Sequence, residues 1–295
     1  MRLVSNGRFE RFTAGWVLAA VITAVLGAGA ADAAQAPPTR AKLANGLSVI
    51  IVPTSRLPLV DFRLVTRAGS VNDPAGKEGL ARLTADLLTQ GAGKRTAKQL
   101  ADDIEFVGGS LEANGGTEAM LVSCEVLKKD LALGLELFRD VIVSPTFSNE
   151  DFERKKEEAL GQIASDKSEP SVIAENAMTR WFWGESPLGH PPIGWEGTLK
   201  GMTRDDVVKF HKSFLTPERS VLVIVGDVNA AAVVASLKTA FAGWKSAGAA
   251  PATDPYGPAS AIKGRAVRSF TAGQPQLLPR NPYFLITSPA AYHAP

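Results

Sequence analysis

The sequence contains few of the residues that form crosslinks or hold metals, and its charges nearly cancel. Its 295 residues include one cysteine and three histidines, with 32 basic and 30 acidic side chains. One cysteine cannot form an internal disulfide. A net charge of +2 that is spread along the chain gives no reason to expect a nucleic-acid partner. Basic pairs such as Lys155–Lys156 and the neighbouring glutamates, including Glu158, are predicted to lie on a solvated helix face.

The cysteine and the histidines form no catalytic cluster in the sequence. Cys124 lies in the apolar run AMLVSCEVL, where a buried structural thiol is favoured over a nucleophile. His190 lies in a predicted loop and His293 near the C-terminus, and a core or surface role is favoured for His211 on a predicted helix. No two of them have the spacing of metal ligands. Nucleophile motifs of the G-x-S-x-G type and phosphate-binding loops are also absent from the sequence.

The N-terminus has the composition of a secretory signal peptide. Three arginines within the first eleven residues precede an apolar run over residues 14–31, and the small residues ADAAQA follow. Cleavage after Ala33 is favoured because cleavage after Ala36 would place Pro37 beside the scissile bond. The alternative is an uncleaved membrane anchor, which the shortness of the run disfavours. The predicted signal peptide therefore comprises residues 1–33.

Residues 34–40 are predicted to be an extended leader into the mature domain. Export and a single cysteine together indicate a Gram-negative periplasm rather than a disulfide-rich secreted protein. The mature form is therefore predicted to be periplasmic and free of the membrane.

Residues 41–245 alternate between strand and helix patterns. LSVIIV and VDFRLVTRAG predict two strands, and RSVLVIVGDV predicts a buried strand near the end of this segment. EGLARLTADLLTQ predicts a helix because its leucines recur at helical spacing. Thr96 is the expected N-cap of the next helix, and a hairpin is predicted to turn at residues 114–116. The order of the elements predicts an α+β fold with helices on one face of a mostly antiparallel sheet.

Residues 246–295 differ in composition from the domain before them. They begin as a linker rich in proline, alanine and glycine and continue as a tail without strand or helix periodicity. The alternative is the truncated or frame-shifted start of a second domain.

Three stretches of the chain resemble the insulinase-like or pitrilysin-like zinc peptidases of the M16 family. They cover residues 42–81 around GKEGLA, residues 116–163 ending in FERKKEEALGQI, and residues 184–228 around GHPPIGW and LVIVGDV. The third stretch is the most specific, and the resemblance as a whole covers about residues 40–245. It implies an M16-type sandwich, like that of the mitochondrial processing peptidase, in which a zinc-binding H-x-x-E-H motif lies on the first helix.

The zinc motif implied by the resemblance is absent at the matching positions. The first histidine position falls on Arg82, the glutamate on Ala85 and the second histidine on Asp86. The third ligand falls on Gln162, within one residue. Arginine cannot lose its proton to bind a metal, alanine cannot act as a base, and a single carboxylate does not hold zinc. Arg82 and Asp86 are four residues apart, so they either form a salt bridge across one helical turn or are separately solvated.

The resemblance implies a binding or assembly role for a fold that lacks these ligands. The preferred hypothesis is an exported non-catalytic subunit that pairs with a zinc-bearing M16-type peptidase and helps to hold a peptide substrate. Zinc would then be bound by the partner, and this chain would hold none. The first alternative is a zinc metalloendopeptidase that acts itself through ligands outside the motif. The second alternative is a truncated product without function.

Overall fold

The structure, a computed structural model, describes residues 37–245. The predicted signal peptide, the start of the leader, His293 and the predicted tail over residues 246–295 lie outside the described residues. Among the described residues, no helix combines the length and the apolarity needed to cross a bilayer.

Within residues 37–245, eight strands form two sheets, and six of them make the main sheet in the order β1-β2-β8-β3-β7-β6. Only β2 and β8 pair in parallel, and the other four neighbouring pairs of the main sheet are antiparallel. The small second sheet pairs β4 with β5. The strands are β1 (Thr39–Lys42), β2 (Ser48–Pro53), β3 (Leu59–Thr66), β4 (Gly91–Ala92), β5 (Arg95–Thr96), β6 (Ser110–Gly115), β7 (Met120–Leu127) and β8 (Ser220–Gly226).

The described part of the chain also forms eight α-helices. Five of them, α3 to α7, follow one another between β7 and β8. The helices are α1 (Leu80–Leu88), α2 (Ala97–Phe106), α3 (Leu131–Val143), α4 (Asn149–Asp166), α5 (Pro170–Trp183), α6 (Glu196–Lys200), α7 (Arg204–Phe214) and α8 (Ala230–Ala240).

The core lies between one face of the main sheet and the helices. Alternate strand residues such as Phe62, Val122 and Ile224 point to this face and are fully buried, as the period of two in the strands requires. Cys124 is in the same row, and burial raises the pKa of its thiol to about 12. The predicted structural role of this cysteine is therefore confirmed, and so is the α+β class with a mostly antiparallel sheet.

Two local details differ from the sequence prediction, and a third agrees with it. β1 was not predicted as a strand, and it begins within the segment taken as the leader. The hairpin turns at residues 116–119 rather than 114–116, because Asn114 and Gly115 remain paired with Leu121 and Met120. The predicted N-cap at Thr96 is confirmed, since its side chain accepts the Gln99 N–H while the Gln99 side chain accepts the Thr96 N–H.

Candidate functional site

Helix α1 carries three of the four positions that match the zinc motif, and its N-terminus is firmly held. Asp73 Oδ2 accepts the N–H of Gly79 at 2.8 Å, and its Oδ1 accepts the N–H of Ala81 at 2.7 Å. These bonds satisfy two donors that a helix N-terminus otherwise leaves free. Gly79 has φ 104°, and a Cβ there would lie 2.5 Å from the Ile193 carbonyl oxygen, so the turn into α1 requires glycine.

The inner side of α1 packs into the core. Seven of its nine residues are buried, including all four leucines that the sequence places at helical spacing. Ala85, at the position of the family's general base, is among them with no exposed surface. Gly115 of β6 lies directly against this helix, because a Cβ there would be 2.8 Å from the Arg82 Cα and 3.2 Å from the Ala85 Cβ. The edge of the sheet therefore crosses α1 at the motif positions.

The outer side of α1 carries an ion pair between Arg82 and Asp86. Arg82 Nε donates to Asp86 Oδ1 at 2.9 Å and to Oδ2 at 3.0 Å. The two side chains are 40% and 27% exposed, so water screens the pair and its contribution to stability is small. The sequence left open whether the two side chains pair or are separately solvated, and the structure shows the salt bridge.

Charges on α4 also act on Asp86. Partial burial raises the pKa of the Asp86 carboxyl, and Arg82 and Lys155 oppose the rise whereas Glu158 adds to it.

The prediction that Lys155 and Lys156 are solvated is wrong. Lys155 is only 22% exposed, and Lys156 Nζ donates to the Met202 carbonyl at 3.0 Å. The sequence could have shown that the two lysines are partly covered. They lie three and four residues after Phe152, and therefore on the side of α4 that includes the buried Phe152 and Ile163.

Gln162, the fourth matching position, lies on the exposed surface of α4 and bonds along its own helix. Its Nε2 donates to Asp166 Oδ1 at 2.7 Å. The four matching positions supply one carboxylate, one guanidinium that keeps its proton, one methyl and one amide, which is not a zinc donor set. Within residues 37–245, no group of three or more His, Cys, Asp or Glu side chains is arranged to hold a metal.

A groove of about 550 Å³ lies beside the ion pair. β6 is the last strand of the sheet, so alternate backbone N–H and C=O groups on its free edge have no strand partner in the described sheet. This edge can accept an added extended chain. The groove combines apolar, polar and charged side chains, among them Asp86, Thr89, Leu111, Ala113, Ser123 and Lys155.

The two histidines within the described residues have structural roles. His211 Nε2 lies 2.8 Å from the Ile142 carbonyl oxygen, to which it donates, and its ring packs edge-on against Phe147 with centroids 5.4 Å apart. The predicted core or surface role of His211 is therefore confirmed. His190 is 6% exposed, and its Nδ1 lies 3.1 Å from the Pro191 carbonyl oxygen.

Comparison with known proteins relates this chain to zinc peptidases. An uncharacterized zinc protease of Mycobacterium leprae is 31% identical over 205 residues, which are 68% of this chain and 45% of that protein. An uncharacterized zinc protease of Rickettsia bellii is 26% identical over 200 residues, 68% of this chain and 48% of that protein. The chain thus spans about half the length of these relatives.

Two solved structures share the fold. The M16 inactive domain from Pseudomonas fluorescens superposes with a TM-score of 0.68 at 24% identity, covering 78% of this chain and 54% of that one. A protease from Helicobacter pylori superposes with a TM-score of 0.70 at 22% identity, covering 74% and 54%.

Two family models match consecutive parts of the chain. Residues 49–194 match the insulinase model of peptidase family M16, and residues 201–278 match the model of the M16 inactive domain. The second match continues beyond the described residues. Together the two matches span most of the sequence, and the chain belongs to the M16 (insulinase) peptidase family.

Proposed function

We propose that this protein is an exported, periplasmic, non-catalytic M16-type subunit. It holds an extended peptide in the groove between β6 and α1 while a zinc-bearing M16-type partner performs the cleavage. The observation that carries this proposal is the Arg82–Asp86 ion pair, which occupies the helix side that presents zinc ligands in the catalytic members of the family. Zinc chemistry belongs to the partner, because the four matching positions do not form a zinc donor set.

The geometry of the groove supports peptide binding in an extended form. A chain added along β6 would bond to the free backbone groups of that strand, and its alternate side chains would enter the groove. Leu111 and Ala113 offer apolar contacts there, and Lys155 and Asp86 offer charges of both signs. Such a site recognises the extended backbone of a peptide rather than one particular side chain. It could therefore bind peptides of different sequence.

The match to the M16 inactive-domain model supports a role beside a catalytic protein. The chain matches about half the length of the zinc proteases among its relatives. In this proposal the zinc-bearing partner supplies the catalytic centre.

The test measures zinc content and peptide cleavage for the purified protein, for a zinc-bearing M16-type protein from the same genome, and for their mixture. We expect no cleavage by this protein alone and faster cleavage in the mixture, with both proteins recovered together in pull-down experiments. Absence of both co-purification and stimulation would refute the proposal. Stoichiometric zinc with cleavage by this protein alone would establish the first alternative instead.

A matched pair of variants locates the effect in the groove. Thr89 lines the groove at the end of α1, whereas Thr239 is exposed on α8. Thr89→Arg fills the groove with a long side chain and should remove most of the stimulation, whereas Thr239→Arg should leave it unchanged. Equal stimulation by both variants would place peptide binding elsewhere.

A further inference from the structure

Helix α5 packs less closely than the other α-helices within residues 37–245. None of its 14 residues is fully buried, whereas each of the other seven α-helices buries at least one residue. No other helix or strand of the described chain packs extensively against it. A helix with many apolar side chains normally buries them against a neighbouring element. The apolar side chains of α5 are therefore available for a further contact.

The C-terminal half of α5 carries an aromatic surface. Met178, Trp181 and Phe182 are three and four residues apart, so they are neighbours along one side of the helix. The rings of Phe182 and Trp183 meet edge to face with centroids 5.0 Å apart, and Trp183 is 37% exposed. We call these four residues the aromatic surface. Because aromatic rings bury large apolar areas, this surface suits a ligand that covers several rings at once.

A carboxylate lies beside the aromatic surface. Glu175 is exposed and precedes Phe182 by seven residues, which is close to two helical turns and places both on the same side of α5. The ion pair of this helix joins Arg180 to Glu185, and Glu175 belongs to no ion pair within residues 37–245. The surface therefore offers aromatic rings together with a negative charge that no neighbouring cation neutralises.

The sequence beyond the described residues contains a segment of matching chemistry. Residues 279–284 read PRNPYF, and we call them the proline segment. Segments with the spacing P-x-x-P bind aromatic surfaces, because proline restricts the backbone before binding and little entropy is then lost. Arg280 lies between the two prolines, and a guanidinium both pairs with carboxylates and stacks on aromatic rings. The proline segment thus has the groups that the aromatic surface and Glu175 would bind.

Charge favours an approach of the C-terminal part of the chain to α5. Residues 246–295 contain four lysine or arginine side chains and one aspartate. Residues 169–185, which comprise α5 and its flanking residues, contain three glutamates and one arginine. The two regions therefore carry opposite net charges and attract each other.

The chain is also long enough for the contact. Pro279 follows Lys245 by 34 residues. A chain of this length spans up to about 110 Å when it is extended, which exceeds the width of a domain of this size. A segment that is tethered to its binding site has a high effective concentration, so a contact of modest affinity is sufficient.

We propose that the proline segment binds the aromatic surface of α5 in the same chain. The prolines cover the rings of Trp181 and Phe182, and Arg280 pairs with Glu175. This inference does not rest on the proposed function, because no residue of α5 lines the groove beside β6 and the contact requires no peptidase partner.

Photo-crosslinking in the full-length protein, expressed with its own leader, tests the contact directly. The photoreactive residue p-benzoylphenylalanine replaces Phe284, and in the matched control it replaces Tyr256 of the predicted linker. We expect irradiation to join position 284 to residues 175–183 in a product of monomer mass, which mass spectrometry of the digested protein identifies, and the control to form no such link. Links from position 284 to other parts of the chain, to a second chain or to nothing would overturn the proposal.

Charge reversal tests the pairing of Arg280 with Glu175. Arg280→Glu and Glu175→Arg each place like charges together and should remove most of the crosslink from position 284, whereas the double variant should recover it. The matched control is Glu153→Arg, which makes the same change of charge at an exposed residue of α4 and should leave the crosslink unchanged. Circular dichroism melting confirms that each variant folds. Single variants that keep the crosslink, or a double variant that fails to recover it, would overturn the proposal.

Discussion

The two sides of α1 have diverged in different ways, although they belong to the same nine-residue helix. The inner side keeps its leucines and alanines in the core, where each contributes to the free energy of folding. The outer side has an ion pair at the positions to which the family resemblance assigns zinc ligands. The difference shows that the packing of a catalytic helix and its chemistry are separable, because they depend on side chains that point in opposite directions.

The largest expected effect is a gain of metal on the outer side. Arg82→His, Asp86→His and Gln162→Glu together restore the three ligands that the family resemblance assigns to these positions. We expect this variant to bind one zinc ion per chain, because the inner side of α1 already holds the helix in place. Inductively coupled plasma mass spectrometry would measure the metal, with Asp86→His alone as the control. Absence of zinc from the triple variant would show that Gln162 is not the third position.

Truncation on the inner side should cost most of the stability that a single substitution can remove. Leu87→Ala leaves a cavity in the core, and we expect the free energy of unfolding to fall by about 2–5 kcal/mol. Urea denaturation followed by circular dichroism measures this change. A loss no larger than that of an exposed truncation would contradict the description of the inner side as core.

The start of α1 should show an intermediate effect. Asp73→Ala leaves the N–H groups of Gly79 and Ala81 without their acceptor. Two N–H groups left without an acceptor in a buried site should lower the free energy of unfolding by about 1–3 kcal/mol. The comparison is with Asp102→Ala on the exposed side of α2, which should change stability little. Equal losses in the two variants would show that Asp73 does not hold α1.

The pH dependence of the free energy of unfolding should reveal the titration of His211, which is a buried histidine on α7. Burial lowers the pKa of His211, so its imidazole takes up a proton more readily in the unfolded protein, where the pKa is about 6.5. Its contribution to the free energy of unfolding is complete above about pH 6.5 and is lost as the pH falls. In the His211→Gln protein, the decrease in the free energy of unfolding that His211 causes between about pH 7.5 and pH 5.5 should be absent.

The measurement compares the pH slopes of the wild-type and His211→Gln proteins. Burial raises the pKa of Asp73 to about 8, so its contribution increases as the pH falls through the same range. That opposing effect is present in both proteins and cancels in the difference. Identical slopes would show that His211 does not titrate differently on folding.

The smallest effect is expected at the ion pair itself. Arg82→Ala should lower the free energy of unfolding by about 0.2–1 kcal/mol, because both partners are partly exposed to water. A double-mutant cycle with Asp86→Ala isolates the coupling between the two charges. A coupling well above this range would mean that the pair holds the outer side of α1 as firmly as the core holds the inner side.

Local patterns in the sequence were sufficient for much of this description. The leucine spacing located α1 and Thr96 identified the start of α2. The separation of four residues between Arg82 and Asp86 gave their salt bridge as one of two alternatives. Each of these features depends on residues within a few positions of one another, where helix geometry fixes the distances.

The rest depended on contacts between residues that are far apart in the chain. The parallel pairing of β2 with β8, the approach of Gly115 to Arg82 and the place of Lys155 in the groove each join separate segments. No local pattern encodes such pairings, because they are fixed by how the helices and strands pack together. The sequence alone therefore determined the α+β class, the start of α2 and the residues that stand at the positions matched to the zinc motif. The tertiary structure decided which strand is last in the described sheet and which side chains line the groove beside it, because both depend on contacts between distant segments.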